Sequence, residues 1–97
     1  LEEQWVDSHR VSEALVDRML DDARAGGFPL LVAGIWDDAP THQLLEHVRQ
    51  RGGWVVDVGL DPGDTSLTNQ PHDSHPNARA NRRYAEGIEL ALHQAGL

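Results

Sequence analysis

The residues best suited to chemistry lie together near the C-terminal end of the chain, in Asp73-Ser74-His75-Pro76-Asn77. Asp73 and His75 stand two apart in a segment of turn-forming residues, close enough for the carboxylate to bond one imidazole nitrogen. Such a bond fixes the tautomer and leaves the other nitrogen to act as a general base. Pro76 restricts the backbone of His75 just before it. Asn77 suits a helix N-cap. A blander reading is a turn followed by a cap, because Asp, Ser and Asn favour turns through local hydrogen bonds. His72, Asp73 and His75 have ligand-type side chains, but zinc takes three or four protein ligands. No metal and no cofactor are expected.

Other candidates are weaker. His42 and His47 are five apart on an expected helix and share no face, so they read as solvated surface residues, as do His9 and His93. Asp37-Asp38 reads as a helix cap. Trp36 and Trp54 fall at strand ends, where packing is their usual role. Ser8, within Asp7-Ser8-His9, makes a poor nucleophile because no strand precedes it. Trp5 is expected to anchor the N-terminal segment or to mark the surface of a neighbour. Gly26-Gly27 and Gly52-Gly53 precede strands and match no phosphate-binding fingerprint. Arg79, Arg82 and Arg83 read as ordinary surface pairing.

The elements that must position these residues follow from periodicity. Asp7 and Ser8 can cap a first helix over roughly residues 8–25, with Val11, Leu15, Met19 and Ala23 at helical spacing and Val16 and Leu20 widening the stripe. Gly26-Gly27 ends it. Leu30 to Trp36 is apolar on both faces, as in a buried parallel strand. A second helix starts near Asp38, with Pro40 in its first turn and Leu44, Leu45 and Val48 facing inward. Gly52-Gly53 stops it, and Trp54 to Val58 forms a second strand. Residues 59–72 read as a long loop, a length that is often functional. A last helix starts near Asn77 and buries Tyr84, Ala85, Ile88, Ala91, Leu92 and Ala95. The strand–helix–strand unit has the length of a right-handed parallel crossover. Two parallel strands are too few for a sheet covered on both faces, so the chain is expected to be part of something larger or to pair its sheet with another copy.

The totals narrow the function classes. The chain has 97 residues, enough for one small domain, and a formal net charge of −8 from 16 acidic and 8 basic residues. Such acidity disfavours nucleic acid and anionic membrane surfaces. No apolar run approaches the roughly 20 residues of a membrane span. With no cysteines, disulfides and thiolate metal sites are excluded.

The run DSHPNARANRRYAEGIELALHQAGL (residues 73–97) resembles the last catalytic block of the SGNH, or GDSL-type, ester hydrolases, which have an Asp, a His, commonly Pro and Asn or Ser, then a helix rich in Ala and Glu. The upstream helix–strand–helix–strand order is similar to the C-terminal half of that family. The specific part of the resemblance runs from Asp73 to about Glu86. It implies a partial domain, residues 1–97, forming the C-terminal portion of a parallel-strand, three-layer α/β/α fold of the flavodoxin-like SGNH type. It also implies His75 as catalytic base, Asp73 as the acid that orients it, a small ester substrate, a serine nucleophile and no metal. The commoner family spacing puts three steps between acid and base. Here it is two, and His72 occupies the third position before His75. The family's Gly-Asp-Ser and Gly-x-Asn-Asp blocks do not occur, so the nucleophile is expected from a missing N-terminal half. The alternative is a non-catalytic α/β binding module, a homo-oligomer whose 59–76 loop is the contact site.

Overall fold

The computed structural model describes residues 2–61 and 63–97, with side chains from Ser8 onward. The roles expected of the Trp5 and Asp7 side chains lie outside the described residues. The order is α1 (Glu2–Gly26), β1 (Leu31–Trp36), α2 (Ala39–Gln50), β2 (Trp54–Leu60), a 3₁₀ turn (Thr65–Leu67) and α3 (Ala78–Gln94). The described residues form a mixed α/β chain with a two-stranded parallel sheet and three helices. The first helix begins earlier than its capping signal suggests, so Ser8 lies inside α1, where its carbonyl accepts from Ser12 Oγ.

Local signals set most boundaries. Gly27 and Gly52 adopt φ of 69° and 74° just after α1 and α2, the left-handed conformation that closes a helix at little cost only in glycine. Asp38 caps α2 by accepting from the Thr41 backbone N–H at 2.9 Å, and Pro40 follows in the first turn. Asn77 caps α3 through the Ala80 N–H at 3.0 Å.

β1 and β2 pair from Leu31↔Trp54 to Gly34↔Asp57, and an irregularity between Gly34 and Trp36 shifts the register to Trp36↔Leu60. Alternate residues of a strand face opposite sides. Val55 joins Val32 and Leu30 in a cluster with Val16 and Leu20 of α1 and Val48 of α2. Val58 and Leu60 instead join Leu67, Ala80 and Tyr84. The opposite parity of Val55 and Val58 places α1 and α2 on one face of the sheet and α3 on the other.

Two glycines permit close approach of helix to strand. A Cβ at Gly34 would stand 2.7 Å from Leu45 Cδ1 and from Thr41 Cγ2, and one at Gly87 would run into Val58 Cγ1.

α1 departs from expectation. Val16, Leu20 and Ala23 are buried, but Val11, Leu15 and Met19 are exposed at 59%, 62% and 49%. The physical reason is supply. Two strands and α2 cover only part of the helix circumference. Ala85 of α3 and Ala95 just after it are likewise exposed, whereas Tyr84 is buried and Ile88, Ala91 and Leu92 are partly so.

Polar contacts join α1 to α2. His47 Nε2 lies 2.8 Å from Asp17 Oδ1, and Arg51 reaches Asp17 and Asp21 at 2.8 Å each. Arg24 donates to the Arg51 carbonyl. His47 is therefore an inter-helix bridge and not the solvated residue its sequence position suggests. The His47 bond holds the Asp17 carboxyl below its ordinary pKa, with the Arg51 guanidinium adding to the effect.

Two outcomes are expected. Gly87→Ala destabilises by about 1 kcal/mol in urea melts, since overpacking of about 1–3 kcal/mol outweighs a helix-propensity gain of up to ~1. In a Val58→Ala background the same change turns neutral or stabilising. For Asp17, a pKa depressed by folding gives stability that is present above the unfolded value of about 3.9 and lost as pH falls through the folded value. Asp17→Asn therefore lowers Tm at pH 7 and flattens the loss of Tm below about pH 4.

Candidate functional site

The segment after β2 is built from successive turns in which an aspartate side chain bonds the backbone two residues on. Asp61 Oδ1 accepts from Gly63 N–H at 2.8 Å, Asp64 Oδ1 from Ser66 N–H at 3.0 Å, and Asp73 Oδ1 from His75 N–H at 2.8 Å. Asp64 also accepts from the Ser66 hydroxyl at 2.7 Å. That side-chain bond, then the backbone one, lowers the Asp64 pKa, with smaller help from Arg83 and Arg79.

The spacing of two does double duty at Asp73 and His75. The carboxylate that takes the His75 backbone N–H also lies 3.3 Å from His75 Nδ1. Asp73 thus occupies the Nδ1 edge of the ring. Most of the imidazole is exposed, at 82%, against 47% for Asp73. The His75 backbone N–H is the chief reason the Asp73 pKa is lowered, with contributions from Asn69 and from the His75 ring. Asp73 is therefore held as a carboxylate beside the ring, the form needed to orient an imidazole and stabilise its cation.

Asn77 holds this loop to α3. Its Oδ1 caps the helix, and its Nδ2 donates to the Ser66 and Thr68 carbonyls at 2.9 and 3.1 Å. Thr68 and Pro76 form an antiparallel bridge, flanked by Asn69 N–H to His75 O at 3.0 Å and Asn77 N–H to Leu67 O at 3.0 Å. Leu67, Ala80 and Tyr84 form the apolar floor beneath. Burial pushes the Tyr84 phenol up. The loop is thus pinned at both ends while every residue from 69 to 75 is exposed.

A second imidazole–carboxylate group lies at the carboxyl ends of the strands, and sequence reasoning missed it. Asp38 is the α2 cap, but Asp37 lies 2.9 Å from His42 Nε2, and Asp57 Oδ2 is 3.7 Å from the same nitrogen. The Asp37–His42 spacing across a helix start was the available signal. The arrival of Asp57 depends on the Gly34↔Asp57 pairing, which no local pattern specifies. His42 is thus partnered and is not a bare surface residue, while His93 is largely exposed beside Glu89. Ser8 lines a groove of ≈ 290 Å³ between α1 and α2 with His9, Ser12, Pro40, Thr41 and Leu44. No interaction of Ser8 with His75 is found among the described residues. Also among the described residues, no group of three His, Cys, Asp or Glu side chains is arranged to hold a metal ion, and no helix is long and apolar enough to cross a membrane.

Asn77→Ala is expected to cost about 2 kcal/mol in denaturant melts, from the lost cap plus two loop bonds. Asn77→Asp keeps the cap but turns an acceptor toward two carbonyls. It should preserve α3 helicity while speeding hydrogen exchange at Asn69 and Asn77.

Comparison with known proteins finds no matching family model, no matching curated protein and no matching solved structure.

Proposed function

We propose that this chain supplies the base and its orienting acid to a serine-dependent ester hydrolase of the SGNH type, as the C-terminal portion of a three-layer, parallel-strand α/β/α domain. The reading rests on one observation above the others. In a loop beyond the carboxyl end of a parallel strand, a carboxylate sits on the Nδ1 edge of His75 while most of the ring remains open. Sites in open α/β sheets form outside the carboxyl ends of strands, and the sequence resemblance assigns the same two residues.

In the proposed reaction His75 Nε2 takes the proton from a serine hydroxyl held outside these 97 residues as the serine oxygen attacks the acyl carbon. The resulting imidazolium, steadied by Asp73, returns that proton to the departing alcohol oxygen. Water then attacks the acyl-serine with His75 again as base, releasing the carboxylic acid and the free serine. The alternative, a non-catalytic module that binds a partner through the 59–76 loop, is favoured by the exposure of residues 69–75.

His75→Ala in the complete enzyme is expected to lower kcat for p-nitrophenyl acetate by about a thousandfold. Its circular dichroism and Tm should be unchanged, because the side chain is 82% exposed. Full activity in a folded His75→Ala protein removes the catalytic reading and leaves the binding module.

A further inference from the structure

We propose that the cleft between α2 and the carboxyl end of β2 binds a small primary ammonium, held by Asp57 and His42. The site shares no residue with the Asp73–His75 pair, and the hydrolase reading does not enter.

A cavity of ≈ 280 Å³ opens there, lined by His42, Leu45, Glu46 and Arg49 of α2 and by Asp57 of β2. The four α2 residues stand at the i, i+3, i+4, i+7 spacing of one helix face, about 10 Å from end to end. Asp57 has the parity of Val55, which packs toward α2, so it stands on the same side of the sheet.

The backbone fixes the carboxylates at this end. Between the pairs Gly34↔Asp57 and Trp36↔Leu60, β1 advances two residues and β2 three. The extra residue is a bulge, a feature that re-aims side chains beside sites. Gly59 N–H folds back onto Asp57 Oδ1 at 2.9 Å, and Asp37 N–H donates to the Leu60 carbonyl at 3.1 Å. A Cβ at Gly59 would stand 2.9 Å from Asp37 N and from Asp57 Oδ1, so this meeting of the strand ends has space for glycine alone.

Hydrogen-bond capacity then describes the head of the ligand. Asp37 Oδ1 takes the Nε2 edge of His42 at 2.9 Å. With its proton on Nε2, the neutral ring offers a lone pair at Nδ1. Asp57 Oδ2 lies 3.7 Å from that Nε2, too far for a hydrogen bond. Nδ1 and Oδ2 are therefore acceptors that no donor among the described residues occupies.

Charge selects the kind of donor. Asp37, Asp57 and Glu46 stand around the cleft against one guanidinium, Arg49, which Glu46 already holds at 2.8 Å. The chain as a whole carries −8. Such a field draws a cation. A metal ion does not meet the geometry, because no three His, Cys, Asp or Glu side chains among the described residues are arranged to hold one. An ammonium brings both the charge and the N–H donors. The cavity is slightly below the roughly 300 Å³ at which small-molecule sites begin, so the body behind the ammonium is a few carbons long, with Leu45 as its apolar wall. His42 and Asp57 are each 48% exposed, and solvent screening keeps the affinity low.

The test titrates n-butylammonium into the isotope-labelled full chain at about pH 8, above the ordinary imidazole value of about 6.5, and follows amide and imidazole shifts by NMR. Saturable shifts are expected at His42, Leu45 and Asp57, with a Kd in the millimolar range. Tetramethylammonium has the charge without the N–H and is expected to bind at least tenfold more weakly. Asp57→Asn, which keeps an acceptor for Gly59 N–H, should weaken butylammonium at least tenfold, and Glu86→Gln on α3 should not change it. The comparison of the two cations uses the unaltered chain, so it decides even where the Asp57 variant fails to fold. Equal binding of tetramethylammonium, tighter binding of butyrate, unchanged affinity in a folded Asp57→Asn protein, shifts spread evenly over the carboxylates of α1 and α3, or no saturable shift overturns the inference.

Discussion

Parallel strands cannot be joined by a tight turn, so pairing β1 with β2 obliges the chain to cross over the sheet through α2. Much else follows from that crossover. It brings Val48 over Val55 and Val32, creating the cluster against which α1 docks. It demands glycine at position 34, where α2 comes so close that Leu45 and Thr41 leave no space for a Cβ. It also leaves both carboxyl ends at the same edge, so that Asp37, Asp57 and the loop carrying Asp73 and His75 all emerge there.

The loop beyond β2 obtains its order from hydrogen bonds more than from burial. Three aspartates each fold the backbone onto their own carboxylate, and Asn77 fastens the result to the start of α3. Leu67 and Tyr84 supply the small apolar contact that keeps this assembly on the sheet. The consequence is a histidine whose backbone is held at three neighbouring points while its ring stays in solvent. An exposed ring adds little to stability, so the order around it comes from the backbone hydrogen bonds of the segment itself.

The α1–α2 interface combines apolar and charged contacts in a way that explains its asymmetry. Val16, Leu20 and Ala23 supply the buried area. Asp17 and Asp21 receive Arg51, and Asp17 also receives His47. The groups are partly exposed, so their attraction is screened by water and contributes mainly to orientation. That orientation turns Val11, Leu15 and Met19 away from the chain's own core.

Local chemistry was legible in the amino-acid sequence alone. Gly27, Gly52, Asp38 with Pro40, and Asn77 each act within a few residues, and so the helix ends they set could be read in advance. The same holds for Asp73 and His75, whose contact spans two residues and needs no distant partner. Contacts between elements could not be read. His47 meets Asp17 across thirty positions, and Asp57 meets His42 only because the strand register puts it opposite Gly34. Periodicity marked all of Val11, Leu15, Val16, Met19 and Leu20 as apolar without telling which would be covered. A stripe records what a helix can bury, whereas burial itself depends on which neighbours the folded chain supplies.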